Sequence, residues 1–111
     1  MGSELFDSAV RTRGDLAGVF EYDGDTAYFY LYDVARPPDK KIVGSIHVFS
    51  GRSSLRRRDV EVRWDNEEDR VALFLRGEQW AVFNVATGKK YGGNYSPDTK
   101  PQIPSSDTFR K

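Results

Sequence analysis

Cysteine is absent from the 111 residues, which excludes disulfides, thiolate nucleophiles and Cys-ligated zinc. A reducing cytoplasm suits such a chain, and a cytoplasmic location is expected. Histidine occurs once, as His47, and neither an HExxH pair nor a glycine-rich phosphate loop is present. No apolar run approaches the roughly 18–20 residues of a membrane span. The opening MGSELFDSAV lacks a basic segment followed by an apolar one, so no secretory signal is expected. Phe6 stands where a myristoylation signal carries Ser or Thr. A charge excess is missing too. Lys and Arg number 17 against 17 Asp and Glu, unlike the basic balance of dedicated nucleic-acid or membrane-surface proteins.

What is present is β patterning. Arg70–Val85, RVALFLRGEQWAVFNV, holds two alternating apolar runs around Gly77-Glu78, the signature of a tight hairpin. A glycine-first, two-residue turn of type II′ needs positive φ at Gly77. That turn pairs Leu75 with Trp80, Leu73 with Val82 and Val71 with Asn84 on one face. Phe74 with Ala81, and Ala72 with Phe83, fall on the other. Both faces are apolar, so the hairpin is expected to be central, with cover on each side.

The remaining chain supplies shorter strands. Residues 3–13 are expected to form a short helix capped by Ser3, with Leu5, Phe6 and Val10 near one face. Ala17–Tyr22 and Thr26–Asp33 form a hairpin around Asp23-Gly24-Asp25. Its pairing puts Phe20, Tyr22, Ala27, Phe29 and Leu31 on one face, and Val19, Glu21, Tyr28, Tyr30 and Tyr32 on the other. Pro37-Pro38 marks a loop. Lys41–Phe49 follows as a strand with Ile42, Ile46 and Val48 on one side, and Asp59–Trp64 alternates with Val60, Val62 and Trp64 inward. The expected architecture is an all-β antiparallel meander of about six strands, as a small sandwich or open barrel. Residues 1–96 make one domain, and 97–111 a Pro-containing tail that Ile103 and Phe109 can pin to the body; unpinned, it stays disordered.

Four residue sets invite a functional reading. Tyr28, Tyr30 and Tyr32 project from one face with Glu21 beside them, and tyrosine suits a binding surface because it offers apolar area, a polar tip and little entropy to lose. A second core layer is the competing reading of the same stripe, since tyrosine is also a good strand former. Arg52, Arg56, Arg57 and Arg58 can grip an anionic ligand or nucleic acid. Against this, Asp65, Glu67, Glu68 and Asp69 offset their charge, and no RNA-binding aromatic motif accompanies them. The acidic turns at 23–25 and 65–69 lack calcium-loop spacing. His47 with Ser45 suggests a hydrolase, but no orienting acid or oxyanion donor is marked locally.

The segments EYDGDTAYFYLYD, VEVRW and VALFLRGEQWAVFN, followed by Tyr91-Gly92 and by Asn94 and Pro97 in an Asn-x-x-Pro, resemble a family of small uncharacterised bacterial β-domains. The resemblance covers about residues 17–97. It implies a bacterial source and a stand-alone β-domain, and brings no functional residues with it. The expectation is therefore a non-enzymatic protein-interaction module, such as an accessory or immunity-type factor. Its partner protein would dock on Glu21, Tyr28, Tyr30 and Tyr32, with no metal, cofactor or membrane involved. Nucleic acid is the weaker alternative, and exposed strand edges permit a homodimer.

Overall fold

The computed structural model describes residues 5–96 and 102–109. Eight strands occur in chain order: β1 Leu5–Val10, β2 Leu16–Tyr22, β3 Thr26–Asp33, β4 Ile42–Ser50, β5 Val60–Trp64, β6 Arg70–Leu75, β7 Glu78–Asn84 and β8 Lys89–Gly92. They form two four-stranded antiparallel sheets, ordered β1-β2-β3-β4 and β5-β6-β7-β8. The architecture is thus an all-β sandwich of two meanders.

The expected N-terminal helix is corrected to strand β1, insofar as it lies in the described residues. Each residue of Leu5–Val10 pairs with β2, from Leu5 opposite Tyr22 to Val10 opposite Ala17. Leu5 and Ala9 then reach the core while Phe6 and Val10 point outward. Phe6 and Val10, four residues apart, share a face in a helix turn and in a strand alike, so only the partner strand decides between them.

Between the sheets lies one core. Phe20, Phe29, Val48, Val71 and Leu73 are fully buried in it, and the Phe29 and Phe83 rings meet at 5.2 Å. Gly18 lets β2 approach the second sheet closely. A Cβ there would lie 2.5 Å from a Val71 methyl and 3.0 Å from one of Val62.

The central hairpin departs from its expected pairing in two ways. Its two-residue loop is Arg76-Gly77, both at positive φ (52° and 82°), so Leu75 pairs with Glu78 rather than Trp80. This mirror-type turn matches the right-handed twist of the flanking strands. The loop shift alone keeps every side chain on its expected face. A β-bulge then leaves Trp80 unpaired between Gln79, opposite Phe74, and Ala81, opposite Leu73. Beyond it every face is exchanged. Ala81 and Phe83 join the core; Val82 and Asn84 turn outward. Similar irregularities in β4 skip Val43 and Val48, so Ile42 lies opposite Tyr32 on the outer face, not beside Ile46 and Val48.

The outer face of the second sheet is covered. Ile103 and Phe109 pack on Ala72, Phe74 and Val82, with the Phe74 and Phe109 rings edge-on at 5.6 Å. Buried Asp107 holds this segment down: its Oδ1 accepts from Arg70 Nε at 2.9 Å and from Asn84 Nδ2 at 2.7 Å. Gln79 Nε2 donates to the Asp107 carbonyl at 2.8 Å, and Gln79 Oε1 accepts the Phe109 N–H at 3.0 Å.

Hydrogen bonds also tie the sheet edges together. Asp7 Oδ2 accepts the Val62 N–H at 2.7 Å, and Trp64 Nε1 donates to the Ala9 carbonyl at 2.9 Å. At the other edge Asn94 and Tyr95 donate their N–H groups to the His47 and Val48 carbonyls, at 2.6 and 2.8 Å. Arg11 grips Asp15 through Nε and Nη2 at 2.7 and 2.8 Å and donates from Nη1 to the Glu68 carbonyl at 3.0 Å, linking the β1–β2 and β5–β6 turns.

Three outcomes follow from this packing. Gly18→Ala should destabilise the protein by about 1–3 kcal/mol, the usual cost of overpacking; an unchanged denaturation midpoint would contradict the close approach. Asp107→Ala leaves Arg70 and Asn84 without their shared acceptor and should cost about 2 kcal/mol, while making the 102–109 segment more open to protease. Arg11 lowers the Asp15 pKa from the ordinary 3.8 to about 2, chiefly through its side-chain hydrogen bond. A lowered carboxylate pKa stabilises above the unfolded value and loses that contribution as pH falls toward about 2. Asp15→Asn should accordingly flatten the melting temperature between pH 4 and about 2, as a scanning calorimeter would show.

Candidate functional site

The first sheet shows the opposite situation to the second: among the described residues no segment packs over its outer face. Register places four rows there. Phe6, Ser8 and Val10 come from β1, and Glu21, Val19 and Ala17 stand opposite them on β2. Tyr28, Tyr30 and Tyr32 pair with that β2 row, while His47, Ser45 and Ile42 form the β4 row. The faces expected for the first hairpin are those observed.

This surface leaves large apolar side chains in the open. Phe6 is 43% exposed, Val10 56%, Tyr28 36% and Ile42 51%. Ala17 and Val19 are nevertheless buried. With no layer above them, their cover comes from larger side chains of the same face. Tyr28 and Tyr30 stack at 5.6 Å with 12° between planes, Tyr32 meets Tyr30 at 6.2 Å, and His47 meets Tyr28 edge-on at 5.4 Å. The stripe is therefore half cover and half surface, which combines the two readings open from sequence.

Glu21 gives the face its electrostatic sign. It stands between Phe6 and Tyr28 and makes no ion pair among the described residues. Burial, followed by the nearby Glu21 carboxylate, pushes the Tyr30 and Tyr32 phenols above their ordinary value of 10.0. A carboxylate beside electron-rich ring faces favours a cation.

His47 is fully engaged. Its Nδ1 lies 2.9 Å from Asn94 Oδ1 and its Nε2 2.8 Å from Ser50 Oγ. With Nδ1–H donated to Asn94, Nε2 accepts the Ser50 hydroxyl proton, a serine–histidine–amide relay in outline. Ser50, not Ser45, is the serine beside the ring. The Gly51 N–H, which follows Ser50 and would be the natural oxyanion donor, is donated to the Asp25 carbonyl. The His47 contacts join the end of β4 to the segment crossing over from β8.

The arginines occupy different settings. Arg57 Nη1 donates to the Phe6 carbonyl at 2.8 Å. Arg56, Arg57 and Arg58 are exposed around the turn at Arg57–Asp59, whereas Arg52 lines a separate cleft. Both acidic turns are held by their own backbone: Asp23 Oδ1 accepts from Asp25 and Thr26, and Asp65 Oδ1 from Asp69 and Arg70. Among the described residues no group of three or more His, Asp or Glu side chains could hold a metal ion. No helix there is long and apolar enough to cross a membrane.

A two-sheet β-sandwich with one self-covered face and one open aromatic face is the class of protein defined so far. Residues 1–110 match the family described as "Uncharacterized protein conserved in bacteria (DUF2251)", and the chain belongs to that family. It is 34% identical over 84 residues to an "Uncharacterized protein" of Haemophilus influenzae, covering 73% of this chain and 52% of the relative. The chain therefore spans about half the length of the curated relative it matches. No solved structure matches.

The tyrosine environment gives a direct spectroscopic outcome. Alkaline difference absorbance should show two tyrosines ionising above the ordinary range, and Glu21→Gln should lower their midpoints by removing a neighbouring negative charge. Midpoints unmoved by Glu21→Gln would separate the carboxylate from the stripe.

Proposed function

We propose that this domain works by binding a partner protein on the outer face of the first sheet, not by chemistry. The observation that carries the reading is the asymmetry of the two outer faces. The second sheet spends its apolar residues on the chain's own C-terminal segment, while the first leaves Phe6, Val10, Tyr28 and Ile42 exposed across its outer face. Exposed apolar side chains on one uncovered sheet face are the kind of surface at which partners bind.

Size and charge narrow the partner. Four strands about 4.8 Å apart, with outward rows about 20 Å long, give a plan area on the order of 300 Å². That suits a segment or small patch of a partner, since the large interfaces of permanent dimers bury roughly 1,000 Å² or more per subunit. Glu21, free of an ion pair among the described residues, calls for a Lys or Arg on the partner, seated against Tyr28. The tyrosines supply the contact area, and Glu21 the register.

The test is capture from lysate of the source bacterium with three baits: the unmodified chain, Tyr28→Ser/Tyr30→Ser/Tyr32→Ser, and Glu21→Lys. Circular dichroism and melting curves on each bait establish that it is folded. A protein retained by the unmodified chain and lost from both folded variants is the expected result. Retention by the charge-reversed bait, or recovery only of a second copy of the chain, would contradict the proposed partner. Nucleic acid held equally by all three baits would move the function to Arg52, Arg56, Arg57 and Arg58.

A further inference from the structure

A second site lies at the end of the sandwich nearest the central turn, away from the tyrosine rows. A cleft of about 430 Å³ opens between the Ser50–Leu55 loop, the Arg76-Gly77 turn and the segment at Tyr95. Trp80, Tyr95, Phe49 and Leu75 give it apolar and aromatic walls, and Arg52 and Arg76 stand on it with Ser53 and Ser54. We propose that this cleft binds a small molecule with a flat apolar body and one anionic group, a carboxylate or a phosphate.

The bulge and the turn that shape the second sheet also build the walls of this cleft. The bulge takes Trp80 out of the ladder, and bulges re-aim side chains next to binding sites. The Trp80 ring packs edge-on to Tyr95 at 4.8 Å, and its buried Nε1–H has no hydrogen-bond acceptor among the described residues. Arg76 holds φ at 52°, in a turn position that favours Asn, Asp or Gly. A non-glycine residue held in the left-handed region is often found beside a ligand site. In return, Arg76 stands on the cleft, with Nη2 donating to Ser54 Oγ at 2.9 Å.

Charge selects the ligand. Among the described residues Arg52 forms no ion pair, and Arg76 forms one, with Asp59 Oδ2 3.7 Å from its Nε. Two guanidiniums, one uncommitted and one loosely held, beside aromatic walls match an anion attached to a planar group. A cleft of this volume takes a ligand of modest size.

Phenyl phosphate and neutral benzyl alcohol are the probes. In a Trp64→Phe chain the remaining tryptophan is Trp80, so its emission reports the cleft; ligand-detected magnetic resonance on the unmodified chain gives the same comparison if that variant is unstable. Phenyl phosphate should bind saturably, and benzyl alcohol at least about tenfold more weakly. Arg52→Gln should weaken phenyl phosphate by about tenfold and leave benzyl alcohol unchanged. Arg76→Asn is the sharper variant, because Asn suits the turn: it should keep or raise the melting temperature while weakening phenyl phosphate. Equal binding of the two probes, no binding of either, or full phenyl phosphate binding by both arginine variants would overturn the proposal. So would a response that Tyr28→Ser, on the other face, abolishes while Arg52→Gln does not.

Discussion

The β-bulge at Trp80 is the constraint on which both surfaces of the second sheet depend. Side-chain alternation has a period of two, so one extra residue exchanges every later face of a strand. Here the exchange sends Phe83 inward to meet Phe29, and sends Val82 and Asn84 outward. Val82 becomes part of the platform for Ile103 and Phe109, and Asn84 becomes a donor to Asp107. Without the bulge, Asn84 would face an apolar core with its amide unmet, and the C-terminal segment would lose both its bed and its tether.

That arrangement sets the two sheets apart in what they present. The second sheet is apolar on both faces and satisfies both within the chain. The first buries one face and leaves the other half-covered by its own tyrosines, with Glu21 unneutralised among them. Exposed apolar area is a cost to a soluble domain unless something uses it. The chain meets that cost on one sheet with eight described C-terminal residues, Gln102–Phe109, and leaves it standing on the other.

Much of this was legible in the sequence, for identifiable reasons. The first hairpin reads correctly, including both faces, because its alternation is unbroken and its turn is fixed by Asp23 accepting the Asp25 and Thr26 N–H groups. The all-β class follows from the same period. Leu5–Val10 misleads because its apolar spacing fits a helix turn as well as a strand, and the β2 edge that decides lies beyond it in the chain. Ile42 and the end of β7 mislead because bulges leave no mark in an alternation pattern. Lys89–Gly92 is almost purely polar and becomes a strand only through its pairing with β7. The tyrosine stripe could be located by residue number, yet its exposure depends on no described segment packing over it, a property of the whole fold. Asp107 meets Arg70 from 37 residues away, and Asn94 meets His47 from 47. Neither contact has a local signature.

Hydroxyl-radical footprinting of the free protein, resolved by residue with mass spectrometry, tests the asymmetry of the faces most directly. The account predicts rapid oxidation of Phe6 and Tyr28, and protection of Phe74 that is lost when Asp107→Ala releases the covering segment. Protection of Phe6 and Tyr28 in the free monomer, or ready oxidation of Phe74 in the unmodified chain, would contradict it.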